Sequence, residues 1–204
     1  MHDYAVFGHD RAAIGRWLGF ISIAVAGGIS QLLILTNNLS GIDAFTKATI
    51  TTGIVYFGLH SIFSKWIWKV PFFSVPNING TWELEGYTLN NDGTANHDWE
   101  CSIGIEQNWK NILIHLKTKN NQSASYTATL SKQFDPTERW LLSYSYKTEP
   151  EQSHELKSYK GYCEIEFDEG LTIGKASYFN SEGKRTVGIM NLKKSAQINI
   201  ARYR

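Results

Sequence analysis

An uncharged run of 19 residues, Trp17 to Leu35 (WLGFISIAVAGGISQLLIL), constrains this chain more than any other feature. Coiled as an α-helix it rises about 28 Å, close to the ~30 Å hydrocarbon core of a bilayer. A second run, Ala48 to Ser64, is uncharged for 17 residues, and it extends through Trp66 and Trp68 if Lys65 and Lys69 snorkel their amines outward. Trp17 at one end, and Trp66, Trp68, Phe72 and Phe73 at the other, suit the aromatic belts of membrane interfaces. A cleaved signal peptide fits less well, because no A-x-A site follows the first run and a second span comes soon after it. Two spans are expected, at about 17–35 and 48–68, within a membrane region covering 1–69.

Charge divides the chain in the same place. Residues 1–77 hold 5 basic and 3 acidic side chains, whereas residues 78–204 hold 15 and 16. The two parts are built for different solvents. The net charge of +1 gives no electrostatic reason to expect DNA or RNA as a partner. Arg11, Arg16, Lys65 and Lys69 flank the outer ends of the two runs, and the connecting loop, Thr36 to Lys47, contributes only Lys47. That bias predicts a multi-pass topology with both termini in the cytoplasm. Small residues recur at helix-contact spacing in the pairs Gly15/Gly19, Ser22/Ala26 and Ala24/Gly28, which suit contacts within one hairpin or between copies. Gln31 and His60 are polar groups inside apolar runs, suited to hydrogen bonds across the helix pair or to a role in permeation.

Pro71 and Pro76 mark 70–78 as a short, stiff linker. From Gly80 onward the helical period gives way to alternation of apolar and polar residues. Eight such stretches follow, at about 80–89, 99–109, 112–119, 125–134, 139–148, 157–168, 171–180 and 186–194. Turn-forming residues such as Asn90-Asn91-Asp92-Gly93, Asp135-Pro136 and Glu169-Gly170 separate them. Eight strands on short loops predict an antiparallel up-and-down β-barrel over 79–204, following the transmembrane hairpin. A barrel of this size is filled by side chains or holds one small ligand.

The period of two assigns inward faces. Cys101, Ile103, Ile105, Gln107 and Trp109 share one, as do Trp140, Leu142, Tyr144 and Tyr146. Tyr126, Ala128 and Leu130 form another, and Gly161, Cys163, Ile165 and Phe167 a fourth. In the seventh stretch Leu171, Ile173, Lys175, Ser177 and Phe179 alternate together, which turns Lys175 inward; in the eighth, Asn191 follows Val187 and Ile189. A bulge in any strand would reverse its assignment.

No P-loop, H-E-x-x-H, G-x-S-x-G or zinc spacing is present, and no metal or resident cofactor is expected. The carboxylates Glu164, Glu166 and Asp168 alternate on the solvated face of one strand rather than pairing as acid and base. Cys101 and Cys163 read as reduced, buried thiols. Binding, not catalysis, is the expectation. A barrel enclosing Lys175, Tyr126, Tyr144, Tyr146 and Asn191 must satisfy those polar groups by internal pairing, by trapped water, or by an anionic ligand with flat rings.

Gly80-Thr81-Trp82 resembles the G-x-W opening of lipocalin- and streptavidin-type barrels, in which the tryptophan closes one end. The whole order of parts, two short-looped spans, a proline-marked linker and a minimal barrel opening Asn79-Gly80-Thr81-Trp82, resembles the CD-NTase-associated protein 15 family of bacterial CBASS anti-phage systems. The resemblance implies an inner-membrane effector whose cytoplasmic barrel binds a cyclic dinucleotide made by a cognate CD-NTase. It further implies homo-oligomerisation in the lipid on activation and failure of the membrane. The contrasting expectation, from the lipocalin-like barrel, is a membrane-tethered carrier or sensor of a hydrophobic small molecule.

Overall fold

The computed structural model describes residues 1–40, 52–70, 73, 75–117, 121–133, 139–150, 158–181 and 185–195. In chain order its elements are β1 (His2–Asp3), β2 (Ala5–Val6), α1 (Arg11–Ser40), α2 (Thr52–Lys65), a 3-10 turn (Ile67–Lys69), β3 (Gly80–Leu89), β4 (Ala95–Gln107), β5 (Asn111–Lys117), β6 (Asn121–Lys132), β7 (Trp140–Pro150), β8 (Tyr159–Phe167), β9 (Ile173–Asn180) and β10 (Val187–Lys194). They form two units. One is helical, His9–Ser74; the other joins Met1–Gly8 to Val75–Arg204. Residues 1–8, which the sequence placed with the membrane region 1–69, group instead with the β unit.

In the helical unit Asp10 starts α1, its Oδ1 accepting a hydrogen bond from the Ala13 amide at 2.8 Å. The stretch Arg11–Leu32 is long and apolar enough to cross a membrane. Its outward surface presents Trp17, Phe20, Ile23 and Leu32, each more than half exposed, an arrangement that lipid accommodates and water does not. The α1 face carrying Leu18, Ser22 and Ala26 is buried. Ser22 and Ser30 donate back to the carbonyls of Leu18 (2.6 Å) and Ala26 (2.9 Å), so neither hydroxyl burdens an apolar surrounding. The second helix ends at Lys65 and tightens into the 3-10 turn, whereas one continuous span to residue 68 was expected; residues 41–51, including the start of that span, lie outside the described residues.

The β unit is an antiparallel meander from β3 to β10 that closes on itself where β10 pairs with β3 from Val187↔Leu89 to Lys194↔Trp82. Tight turns are set by side chains that accept from the backbone just ahead. Asn108 Oδ1 takes the amides of Lys110 and Asn111 at 2.8 and 2.7 Å. Asp168 Oδ1 takes those of Thr172 and Ile173 at 2.7 and 2.8 Å.

One seam is incomplete. The β5 and β6 ladder covers only His115↔Ala124 to Lys117↔Gln122. Beyond it the two strands part, and the N-terminal segment fills the gap: β1 pairs antiparallel with β5, and β2 pairs parallel with β6. Ser125 sits at the fork, where its Oγ accepts from the Ile114 amide at 2.9 Å and lies 2.8 Å from His2 Nε2. A bulge follows at once, between Ser125 and Thr127.

Below the seam Gln107 gathers three segments. Its Oε1 accepts from the Ile78 amide (3.0 Å), and its Nε2 donates to Pro76 O and Tyr4 Oη (both 3.1 Å). Tyr4 donates onward to Asn108 O at 3.2 Å. The chain enters and leaves the helical unit through residues held by this one side chain.

Candidate ligand-binding site

The barrel is packed at one end and hollow at the other. At the Gly80 end, Ile103, Ile105, Ile112, Ile114, Leu130, Leu142, Ile165, Phe167 and Leu192 are essentially fully buried. Trp82 closes that end, its ring centre 5.1 Å from Phe167 and its Nε1 donating to Ile78 O at 3.1 Å. At the opposite end lies a lumen of about 530 Å³, within the usual range for small-molecule sites. Trp99, Tyr144, Tyr146, Tyr159 and Tyr178 line it, with Thr88, Ser123, Thr148, Asn180 and Thr186 among them.

These side chains hold one another in place. The Trp99 ring meets Tyr178 edge-on at 5.9 Å, and Tyr144 lies 5.9 Å from Tyr146. The Tyr146 hydroxyl donates to Asn180 Oδ1 at 2.8 Å, and Asn180 Nδ2 donates to Thr186 Oγ1 at 2.6 Å. Tyr178 and Thr88 hydroxyls are 3.3 Å apart. Burial raises the acid strength threshold of the phenols: Tyr144 and Tyr146 both stay protonated far above the ordinary tyrosine range. Cys101 and Cys163, whose side chains also face inward, are pushed up to about 12 by the same desolvation. Among the described residues lining the lumen none is lysine or arginine. Its chemistry is aromatic faces with hydroxyl and amide groups, and the His97 imidazole and the Glu100 carboxylate also border it.

Of the side chains expected to point inward, Tyr144 and Tyr146 line this lumen. Lys175, Asn191 and Tyr126 do not. Lys175 and Asn191 are exposed on the outer face, because β9 and β10 turn Gly174, Ala176, Tyr178, Gly188, Met190 and Leu192 inward and leave Ile173, Phe179, Val187 and Ile189 outside. Tyr126 is 48% exposed, thrown outward by the bulge in β6. Trp99, Tyr178, Asn180 and Thr88 were not singled out from the sequence; for Tyr178 and Asn180 the signal was the complementary parity of the same strand. In the helical unit, Gly15 lies toward α2, where an added Cβ would stand 3.9 Å from Tyr56 Oη, while Gly19 and Gly28 open onto free space and Ala24 and Gln31 are exposed. His60 is half-buried and stacks on Tyr56 at 5.9 Å.

A larger depression of about 970 Å³ lies outside the barrel, against the β5–β6 seam, and is bordered by His115, Lys117, Tyr126, Lys147 and Lys160. There Lys147 already engages Glu149 at 2.9 Å. The lumen, set inside the barrel and lined by interlocked rings, is the better-built site.

Residues 73–194 match the family model described as the cyclic dinucleotide receptor domain of Cap15, and residues 12–69 match the one described as its TM helices. CD-NTase-associated protein 15 of Yersinia aleksiciae is 34% identical over 204 positions, covering 94% of this chain and 96% of the relative. The chain belongs to the Cap15 family. The Cap15 receptor-domain match ends at Lys194, the last residue of β10, and so takes in the eight strands of the meander and the lumen they enclose. The strands β1 and β2 precede both Cap15 matches.

Proposed function

We propose that this chain is a CBASS effector whose barrel lumen receives a cyclic dinucleotide made by a cognate nucleotidyltransferase. Binding then favours assembly of the helical units in the inner membrane and breaches the bilayer. The observation that carries the reading is the aromatic, hydroxyl-lined lumen inside the segment that matches a cyclic dinucleotide receptor domain. Two flat bases find ring faces there, and the ribose and phosphate oxygens find neutral donors. No step of bond making is assigned to the protein.

Connectivity supports a topology with both flanks on one side. Residues 1–8 and the barrel belong to one compact unit, so both flanks of the helical region share one side of whatever membrane it crosses. The bias of basic residues makes that side the cytoplasm, where a nucleotide second messenger is found. Two helices cannot enclose a water path, so permeation requires several copies or lipid disturbed at their contacts. Ligand shifts that equilibrium only by binding the assembled form more tightly.

Titration calorimetry of the detergent-solubilised full chain against cyclic dinucleotides and, separately, fatty acids tests the reading. Saturable nucleotide binding, lost in Tyr144→Ala and retained in Lys117→Ala/Lys160→Ala, supports the lumen. Fatty-acid binding with no nucleotide binding would establish the carrier instead. In liposomes, dye release on adding nucleotide supports the effector, and nucleotide binding without release removes the membrane-breaching half.

A further inference from the structure

An eight-stranded barrel is just wide enough to be filled by its own side chains or to hold one small ligand. This one is hollow at one end although five large aromatic residues point into that end. The glycines on the neighbouring strands account for the space. Gly86 pairs across from Trp99, Gly161 from Tyr146, and Gly188 from Tyr178. In each pair the ring occupies the volume where a Cβ of the glycine would stand, with ring atoms well inside the 3.0 Å that real Cβ atoms keep. None of the three glycines has a positive φ, so backbone conformation does not require them, and only at Gly188 would a Cβ also meet a backbone atom. Glycine in a strand interior weakens the sheet, and the compensation here is that each ring folds down onto the barrel wall.

We propose that Gly86, Gly161 and Gly188 set the ligand specificity of the lumen: they lay three aromatic rings flat on its wall, so that the exposed ring faces stack the two bases of a cyclic dinucleotide. The inference rests on the lumen being the nucleotide site. A methyl group at Gly86 or Gly161 displaces the ring in the one direction left free, into the lumen. Such a barrel keeps its fold, and gains packing, while losing the room for its ligand. Gly188 is a poorer probe, because a Cβ there also strikes the Tyr87 carbonyl. Gly104 supplies the control. It lies under the His115 ring with equally close contact, but on the outer face of β4 and β5.

The experiment measures thermal melting and calorimetric affinity for full-length wild type, Gly86→Ala, Gly161→Ala and Gly104→Ala. The probes are cyclic dinucleotides of adenine, guanine, uracil and cytosine in every pairing, tested singly. We expect Gly86→Ala to melt at or above the wild-type temperature, Gly161→Ala to stay folded and to melt no lower than Tyr146→Phe, and both to bind roughly 5- to 150-fold more weakly, the worth of one base–aromatic stack. Gly104→Ala should bind as wild type does. Wild-type affinity in both lumen variants, or equal losses in all three, overturns the inference. So does loss of β-sheet circular dichroism in both lumen variants while Gly104→Ala stays folded, since the displaced rings then found no lumen to enter. Wild-type protein that binds no probe overturns the nucleotide reading itself, and is told apart by the control curve alone.

Discussion

The Tyr146 hydroxyl donates to Asn180 Oδ1 at 2.8 Å, and so fixes which way the Asn180 amide faces at the mouth of the lumen. With Oδ1 engaged, Nδ2 is turned toward Thr186. Tyr146→Phe removes the donor and leaves an unpaired acceptor. We expect a loss of about 0.5–1.5 kcal/mol in stability, read from denaturant midpoints, and weaker nucleotide binding with the stacking ring intact.

Lys175 faces outward, opposite Glu166 on β8 and Asn191 on β10. Exposed charge pairs contribute about 0–1 kcal/mol. Lys175→Ala should therefore leave nucleotide affinity within about twofold. A large loss in calorimetry would return the binding site to the outer face.

Tyr4 is 4% exposed and shares its hydroxyl with Gln107 and Asn108. Tyr4→Ala deletes a buried ring and strands part of the Gln107 amide. The cost should be about 3–5 kcal/mol, by analogy with other buried aromatic truncations. Thermal unfolding of the full chain checks it, and an unchanged melting temperature would show that the seam segment adds nothing to the barrel.

The buried thiols give a pH dependence of definite sign. Their value rises from an ordinary 9.0 to about 12 in the folded barrel. The folded state thus holds protons that the unfolded state releases, so this contribution is complete below pH 9 and declines between there and about pH 12. Urea midpoints should fall across that window, and less steeply in Cys101→Ser/Cys163→Ala. At pH 8 the native thiols hold roughly a thousandfold fewer thiolates than free ones, so iodoacetamide should label them only after denaturation.

Ala26 is buried in the helical unit, whereas Gly28 opens onto free space. Ala26→Leu should overpack the helix pair by about 1–3 kcal/mol. Gly28→Leu should spare the pair and nucleotide binding, yet reduce nucleotide-induced crosslinking between copies and dye release. Wild-type crosslinking in Gly28→Leu would place the contacts between copies elsewhere.

The strands β9 and β10 show how far the sequence could be read. Period-two alternation located both strands, and the reading failed only in choosing the face. Apolar residues usually mark the inside, but here the small Gly174, Ala176 and Gly188 face the core, where Gly174 meets Ile165 and Gly188 the Tyr178 ring, and Ile173, Phe179, Val187 and Ile189 face out. In β4, β7 and β8 the interior is filled, and alternation placed Ile103, Leu142 and Ile165 correctly. Tyr126 was lost to a bulge, which no local pattern announces. The segment His2–Val6 was missed because strands of two residues carry no period at all, and their partners lie more than a hundred residues away.

That distance has a consequence for how the molecule is made. Residues 2–6 leave the ribosome before either helix, and their partners on β5 and β6 leave it after both. The seam cannot be completed until β5 and β6 have been made, and if the helical region spans a bilayer, only while its two ends stay on one side. A chain whose first helix drags its N-terminus across the bilayer keeps a barrel with two unpaired strand edges, the kind of surface that proteases and aggregating neighbours find first.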